Sequence, residues 1–251
     1  MVKTALITGG ARGIGLATAH IFVENGYQVA LLDRDAQALD AAALDLPAAE
    51  ILLFDVSNPQ ASGQIAQEIR TRLGRLDCLV NNAGVADFGP IEECNPAIWR
   101  KVMDTNLDGM FYLSQALTPL LRDTRGSIVN IASISGLRAS TLRVAYGTSK
   151  AAVMQLTKQQ AVELGEYGIR ANCVAPGPVR TKLAMAVHTP EIIDAYHDAI
   201  PLNRYGNDWD AVLMLLPAQL GGGYIGVIVQ VRPSDGDDDD DDDDCDGSPP
   251  P

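Results

Sequence analysis

The sequence predicts a doubly wound α/β fold, with a mostly parallel sheet of seven strands and helices on both faces. Three observations carry that expectation. Short, continuously apolar runs recur between Val2 and Val231, segments with helical spacing of apolar residues separate them, and a glycine-rich turn follows the first run directly. A strand that is apolar throughout, rather than at alternate residues, is buried on both faces, as in a parallel sheet between two helix layers. Right-handed crossovers between successive parallel strands wind the helices onto both sides.

The first strand, Val2–Thr8, enters the turn Gly9-Gly10-Ala11-Arg12-Gly13-Ile14-Gly15, which opens the helix Gly13–Asn25. A strand–turn–helix of this kind offers unpaired N–H groups and the positive end of a helix dipole to a phosphate. Gly9, Arg12, Gly13, Ile14 and Gly15 are therefore candidate cofactor contacts. The spacing is looser than the usual dinucleotide fingerprint, and a plain strand-to-helix corner is the competing reading. The second strand, Gln28–Leu32, ends at Asp33, 20 residues after Gly13. That is where a carboxylate bonds the adenosine ribose hydroxyls and repels a 2′-phosphate, favouring NAD over NADP. Arg12 and Arg34 pull the other way, since either side chain suits a phosphate. Asp33 also reads as a turn residue before the helix Ala36–Leu44.

The third strand, Ile51–Phe54, is followed by Asp55 and Val56. A carboxylate at a strand's carboxyl end faces the crevice, where it can accept from an adenine amino group. An Asx turn before the helix Pro59–Leu73 explains Asp55 equally well. The fourth strand, Cys78–Asn81, precedes a long helix, Pro96–Leu121. The strand Ser127–Ala132, the helix Ala145–Tyr167 and the strand Ile169–Val174 complete the regular alternation. A capped apolar helix at Ala211–Leu220, a glycine break and the strand Tyr224–Val231 close it. One domain spans 1–235. The acidic and proline-rich segment 236–251 has no apolar face, so it reads as a disordered or artefactual tail.

Composition narrows the function classes. The net charge of −13 owes ten charges to the aspartates of 235–246, leaving −3 over residues 1–234. No basic stripe suggests nucleic acid. No apolar run approaches the roughly 18 residues of a membrane span, and the amino terminus lacks a basic leader and cleavage site. A cytoplasmic protein is expected. Cys78, Cys94, Cys173 and Cys245 have no metal-ligand spacing and read as free thiols. His20, His188 and His197 read as ordinary surface histidines, so no metal is expected.

The ordered set TGGARGIG (8–15), Asp55-Val56, NNAG (81–84), Asn106, Ser133, YGTSK (146–150) and PGPVRT (176–181) resembles the short-chain dehydrogenase/reductase family over about residues 1–206. Ser133 lies 13 residues and Asn106 40 residues before Tyr146. The resemblance implies a Rossmann-like, seven-stranded sheet that binds NAD(H) or NADP(H). It implies further that Asn82, Ala83 and Gly84 line the cofactor, with Pro176, Val179 and Thr181 at its nicotinamide and phosphate side. Many members are tetramers built through long helices, here Pro96–Leu121 and Ala145–Tyr167, so a homo-tetramer or homodimer is expected. After Gly206 the wording departs from the family.

The chemistry follows from a spacing. Tyr146 and Lys150 stand four residues apart, one turn along one helix face. A phenol titrates near pH 10, and a neighbouring ammonium lowers that value. Tyr146 is thus the candidate general acid/base for a secondary alcohol or ketone, with Lys150 also reaching the cofactor ribose. In the family reading Ser133 holds the substrate oxygen. Asn106 there interrupts its helix and binds a water that links Lys150 to solvent. Hydride moves to or from the cofactor. The substrate side is expected at Val85–Phe88, Ser135–Val144 and a lid at Leu183–Ile200, with Arg138 and Arg143 as candidates for an anionic group. Competing readings are a 3-oxoacyl thioester reductase using NADP(H), a dinucleotide-binding regulatory protein without turnover, and an isomerase, lyase or dehalogenase on the same scaffold.

Overall fold

A computed structural model describes residues 1–187, 189–190, 192–194, 204–207 and 227–229. In chain order these form β1 (Thr4–Thr8), α1 (Gly13–Glu24), β2 (Gln28–Asp33), α2 (Ala36–Asp45), β3 (Glu50–Leu53), α3 (Ala61–Arg72), β4 (Cys78–Asn81), α4 (Pro96–Met103), α5 (Gly109–Thr124), β5 (Ser127–Ile131), α6 (Ile134–Leu137), α7 (Val144–Leu164), β6 (Arg170–Ala175), α8 (Lys182–Val187) and β7 (Val227–Val229). The spatial order is β3-β2-β1-β4-β5-β6-β7, with every pair parallel. Six strands carry the sheet, and the three-residue β7 completes the β6 edge.

The continuous apolar runs are explained by a core on each face. Ala5 and Ile7 of β1 pack on one side with Val29, Leu31, Val80 and Phe22 of α1. Leu6, between them, packs on the other side with Leu32, Leu79, Ile65 of α3 and Leu113 and Leu117 of α5. Both sets are within 1% of complete burial. Each such side chain larger than alanine contributes roughly 1.5–3 kcal/mol against exposure, so neither face of β1 tolerates a charge. A one-residue slip of register would exchange the two sets of side chains between the cores. Winding starts at β1 and proceeds outward in both directions, so the order reverses between β1 and β4. That switch point opens a crevice at the strands' carboxyl ends.

The expected helix Pro96–Leu121 is interrupted at Asn106, as the family resemblance implied. It is α4 and α5 joined by a π-helical turn over Asp104–Asp108, with Asn106 inside it. The extra residue in that turn is invisible to apolar periodicity, because the apolar stripe resumes in α5. The expected helix Ala145–Tyr167 ends at Leu164 and tightens into a 3₁₀ turn, Gly165–Tyr167. The short α6 and the 3₁₀ turn Ile91–Glu93 were not expected, and α8 forms the start of the expected lid. The helix expected at 211–220 and the tail 236–251 lie outside the described residues, as does most of the lid. Among the described residues no helix is long and apolar enough to cross a membrane.

Candidate active site

The carboxyl ends of β1 to β6 border one continuous cleft of about 550 Å³. Gly9, Arg12, Gly13, Ile14, Asp33, Asp55 and Val56 line one end, and Asn82, Ala83 and Gly84 line the middle. Ser133, Tyr146, Lys150, Pro176, Val179 and Thr181 line the other end. Gly15 and Asn106 stand behind the wall and support it.

The glycine turn is shaped by close approach. Gly9 has φ +60°, and a Cβ there would lie 2.9 Å from the Ala83 Cα. A Cβ on Gly15 would lie 2.1 Å from the Gly9 carbonyl oxygen. Gly15 therefore lets α1 pack under the turn and is not itself on the cleft surface. Thr8 pins the turn to β4. Its hydroxyl accepts from the Asn82 and Ala83 N–H groups, each at 3.0 Å. The Asn82 side-chain amide donates back to the carbonyls of Thr8 and Gly9, at 3.0 and 3.1 Å. Asn82 lines the cleft, but its amide faces the turn, so its side chain acts as a clamp. The first turn of α1 has no side-chain cap from Arg12, whereas Asp35 caps α2 and Asn95 caps α4.

At this end the charges are matched. Arg12 pairs with Asp35, whose carboxyl is held below its usual range by that guanidinium and by the Ala38 N–H. Arg34 lies 3.7 Å from Asp55. Burial pushes the Asp55 carboxyl up, but the Ser57 hydroxyl and N–H, at 2.7 and 2.9 Å, and Arg34 outweigh it and leave the carboxyl lowered. Asp55 thus makes the Asx turn and borders the cleft as well. Asp33 accepts from the Asp35 N–H at 3.1 Å and from the Ala11 N–H at 3.4 Å. The cap of α2 is Asp35, so Asp33 serves the turn ahead of it.

The far end is built differently. Lys150 is 3% exposed, and its ammonium donates to the Ile131 carbonyl at 2.7 Å. Its Nζ lies 5.8 Å from the centre of the Tyr146 ring. Burial drops its pKa to about 8. The Ser133 hydroxyl accepts from the Ser135 N–H at 3.2 Å and caps α6 beside the cleft. Asn106 is fully buried. Its Oδ1 accepts from the Val85 N–H at 2.8 Å, and its Nδ2 donates to the Val85 carbonyl at 3.0 Å and to Ser149 Oγ at 3.1 Å. Ser149 in turn donates to the Tyr146 carbonyl at 2.7 Å. The side-chain amide of Asn106 thus fastens the Val85 loop onto α7.

Thr8 and Ser149 stand in the quoted motifs, but the sequence assigned neither a role. A threonine ending an otherwise apolar strand just before the glycines was a usable signal for Thr8, whereas Ser149 was marked only by its place in YGTSK. Phe88, inside the expected Val85–Phe88 loop, meets Tyr146 edge-on at 5.6 Å. Lys182 of α8 also lines the cleft.

Residues 3–191 match the family model described as short chain dehydrogenase. The chain is 36% identical over 213 residues to an L-fucose dehydrogenase of Bos taurus, covering 81% of this chain and 78% of that protein. It is 33% identical over 221 residues to the 3-oxoacyl-[acyl-carrier-protein] reductase FabG of Chlamydia muridarum, covering 85% and 88%. The crystal structure of gox2181 superposes with a TM-score of 0.85 at 31% identity, covering 91% of this chain and 94% of that one.

Proposed function

The chain belongs to the short-chain dehydrogenase family of oxidoreductases, and on that premise we propose that it transfers a hydride between NAD(H) and a secondary alcohol or ketone, with Tyr146 as general acid/base. The observation that carries this reading is the buried Lys150 ammonium one helical turn from Tyr146, in the same cleft as the glycine turn.

The cleft fits a nicotinamide dinucleotide. The close packing of Gly9 against Ala83 and of Gly15 under Gly9 shapes the turn, and the N-terminus of α1, at Gly13 and Ile14, faces the cleft. When bound, the cofactor supplies the hydride acceptor or donor. Gly13 and Ile14 would hold its pyrophosphate, Asp33 its adenosine ribose, Asp55 and Val56 its adenine, and Pro176, Val179 and Thr181 its nicotinamide half. Ser133 would fix the substrate oxygen. Tyr146 would take the alcohol proton as the hydride leaves, or return it to the ketone. The Lys150 ammonium and the Tyr146 phenolate each favour the other's ionised form. Asn106 is a positioning residue, acting through Val85 and Ser149.

NAD is proposed over NADP because each arginine available to a 2′-phosphate already faces a carboxylate, Arg12 with Asp35 and Arg34 with Asp55. Reduction of a 3-oxoacyl thioester with NADPH is the second reading, supported by the similarity to FabG. Association through α5 and α7 belongs to the same proposal, supported by the exposure of Phe111 and Val162 on those helices. A cytoplasmic setting is supported by the free thiols of Cys78, Cys94 and Cys173.

Purified protein incubated with NAD or NADP and a panel of secondary alcohols tests the reading through the absorbance of the reduced cofactor. Turnover with NAD at least about tenfold more efficient than with NADP is expected, the discrimination of one charged hydrogen-bonding group. Activity with NADP alone would overturn the role given to Asp33.

A further inference from the structure

We propose that the Ser135 hydroxyl binds a second oxygen of the substrate, next to the reacting one, so that the preferred substrates are vicinal diols and their 2-hydroxy ketones. This rests on the oxidoreductase reading and deepens it.

Ser133 and Ser135 both line the cleft, and both are more than nine-tenths buried, at 8% and 9% exposure. The Ser133 hydroxyl accepts from the Ser135 N–H at 3.2 Å. The Ser135 hydroxyl itself makes no hydrogen bond among the described residues. A buried hydroxyl is unfavourable unless it is paired, and the cleft is the space from which a partner can come. A hydroxyl is a neutral group with one donor and two acceptor sites, so it matches another hydroxyl or a carbonyl. Covalent geometry and the Ser133–Ser135 hydrogen bond keep the two serine oxygens within roughly 7 Å of each other. The neighbouring oxygens of a vicinal diol lie about 3 Å apart, and each adds a hydrogen bond of about 2.7 Å, so one diol can reach both serines.

Backbone packing holds this placement. Ser133 caps α6, and Ser135 lies in its first turn. A Cβ on Gly136 would lie 2.6 Å from the Lys150 carbonyl carbon and 2.7 Å from the Ala151 nitrogen, so α6 rests directly on the backbone of α7. A Cβ on Gly147 would lie 3.1 Å from the Ser135 carbonyl oxygen. With its carbonyl turned to α7 and its N–H bonded to Ser133, Ser135 meets the cleft through its hydroxymethyl group. The Ile134 N–H donates to the Pro176 carbonyl at 3.0 Å and fastens the same turn to the segment after β6. Both serines are therefore fixed relative to Tyr146, the condition for orienting a substrate rather than merely admitting it. The alcohol carbon gives its hydride to NAD⁺ and its hydroxyl proton goes to Tyr146, leaving a 2-hydroxy ketone whose second hydroxyl is untouched.

The test compares 2,3-butanediol, 1,3-butanediol and 2-butanol as substrates for wild type and S135A, with NADH binding measured in parallel. The three share a four-carbon chain and differ in the presence and place of the second hydroxyl. For wild type, 2,3-butanediol should exceed 2-butanol in kcat/KM by about fivefold or more, and 1,3-butanediol should gain less. S135A should reduce the 2,3-butanediol to 2-butanol ratio by about 3- to 10-fold, mainly through KM, the range for one neutral hydrogen bond. S135T and S135V, equal in size, repeat the comparison with and without the hydroxyl, and the ratio should be higher in S135T. A ratio unchanged in S135A, or 2-butanol or 1,3-butanediol as the best wild-type substrate, would overturn the proposal. If S135A does not fold, equal ratios in S135T and S135V would overturn it. Absence of turnover on every probe despite NADH binding would instead overturn the oxidoreductase reading. In that event calorimetric binding of 3-hydroxy-2-butanone to the NADH complex, weakened about 3- to 10-fold in S135A, would still support the second-oxygen site, and equal binding by both proteins would reject it.

Discussion

The two ends of the cleft handle charge in opposite ways. Where the glycine turn lies, every arginine on the cleft surface meets an aspartate, and those side chains are 39–55% exposed. Where Tyr146 lies, Lys150 is buried, with a backbone carbonyl as its hydrogen-bond acceptor. Exposed pairs of the first kind add little to the fold, whereas a buried ammonium opposes folding at every pH where it stays charged. Under the proposed function, the first end would discriminate between ligands at little cost to stability, and the second would hold its proton-transfer group at the expense of stability, the opposition expected where chemistry rather than packing chose the residue.

The largest expected effect sharpens that contrast. Tyr146→Phe should lower kcat by about 10²- to 10⁴-fold, the usual contribution of a positioned acid/base, with NADH affinity held within about twofold by fluorescence titration. Full activity would remove the contrast altogether.

Next comes Lys150→Met, which should abolish most turnover yet stabilise the protein at neutral pH. The folded-state pKa of about 8 lies below the ordinary 10.5. The unfolded chain therefore binds the proton more tightly, and stability attributable to Lys150 rises with pH from about 8 to 10.5. Below pH 8 the full penalty applies, roughly 3 kcal/mol at 1.36 kcal/mol per pKa unit. The carbonyl of Ile131, left without its donor, returns about 1–2 kcal/mol of that. Urea unfolding at pH 7 should show the variant more stable by about 1–2 kcal/mol, with the gain gone by pH 10.5. A variant less stable at pH 7 would mean that the lysine supports the fold.

The smallest effect probes the opposite end. Asp33→Ser should shift the NAD to NADP ratio of kcat/KM by about tenfold toward NADP while moving the melting temperature little, since among the described residues the side chain accepts from the Ala11 and Asp35 N–H groups. An unchanged ratio would show that cofactor choice resides elsewhere.

Most of the fold was legible because burial on both faces leaves an unmistakable trace: β1 to β6 appear as apolar runs within a residue or two of their observed bounds. The interruption at Asn106 was read from the family resemblance and not from periodicity, because one added residue in a helix does not disturb the apolar stripe on either side. In the candidate site, the residues that line the cleft were readable from strand ends and glycine spacing. The interactions that set their state were not. The Arg12–Asp35 and Arg34–Asp55 pairs, the turn from Asn82 toward Gly9 and the Asn106–Ser149 link all join residues 21 or more positions apart. Only the assembled sheet brings them together, so no local pattern announces them.

The Thr8–Asn82 clamp also orders events in time. Thr8 meets its partners 74 and 75 positions later in the chain, so the amino-terminal half of the crevice has no finished wall until β4 has been made and docked beside β1. A growing polypeptide that has emerged only through α3 already owns every glycine of the turn but not the β4 end that Thr8 grips. Under the proposed function, a dinucleotide would find its finished site, and begin to protect the chain by mass action, once β4 has docked beside β1.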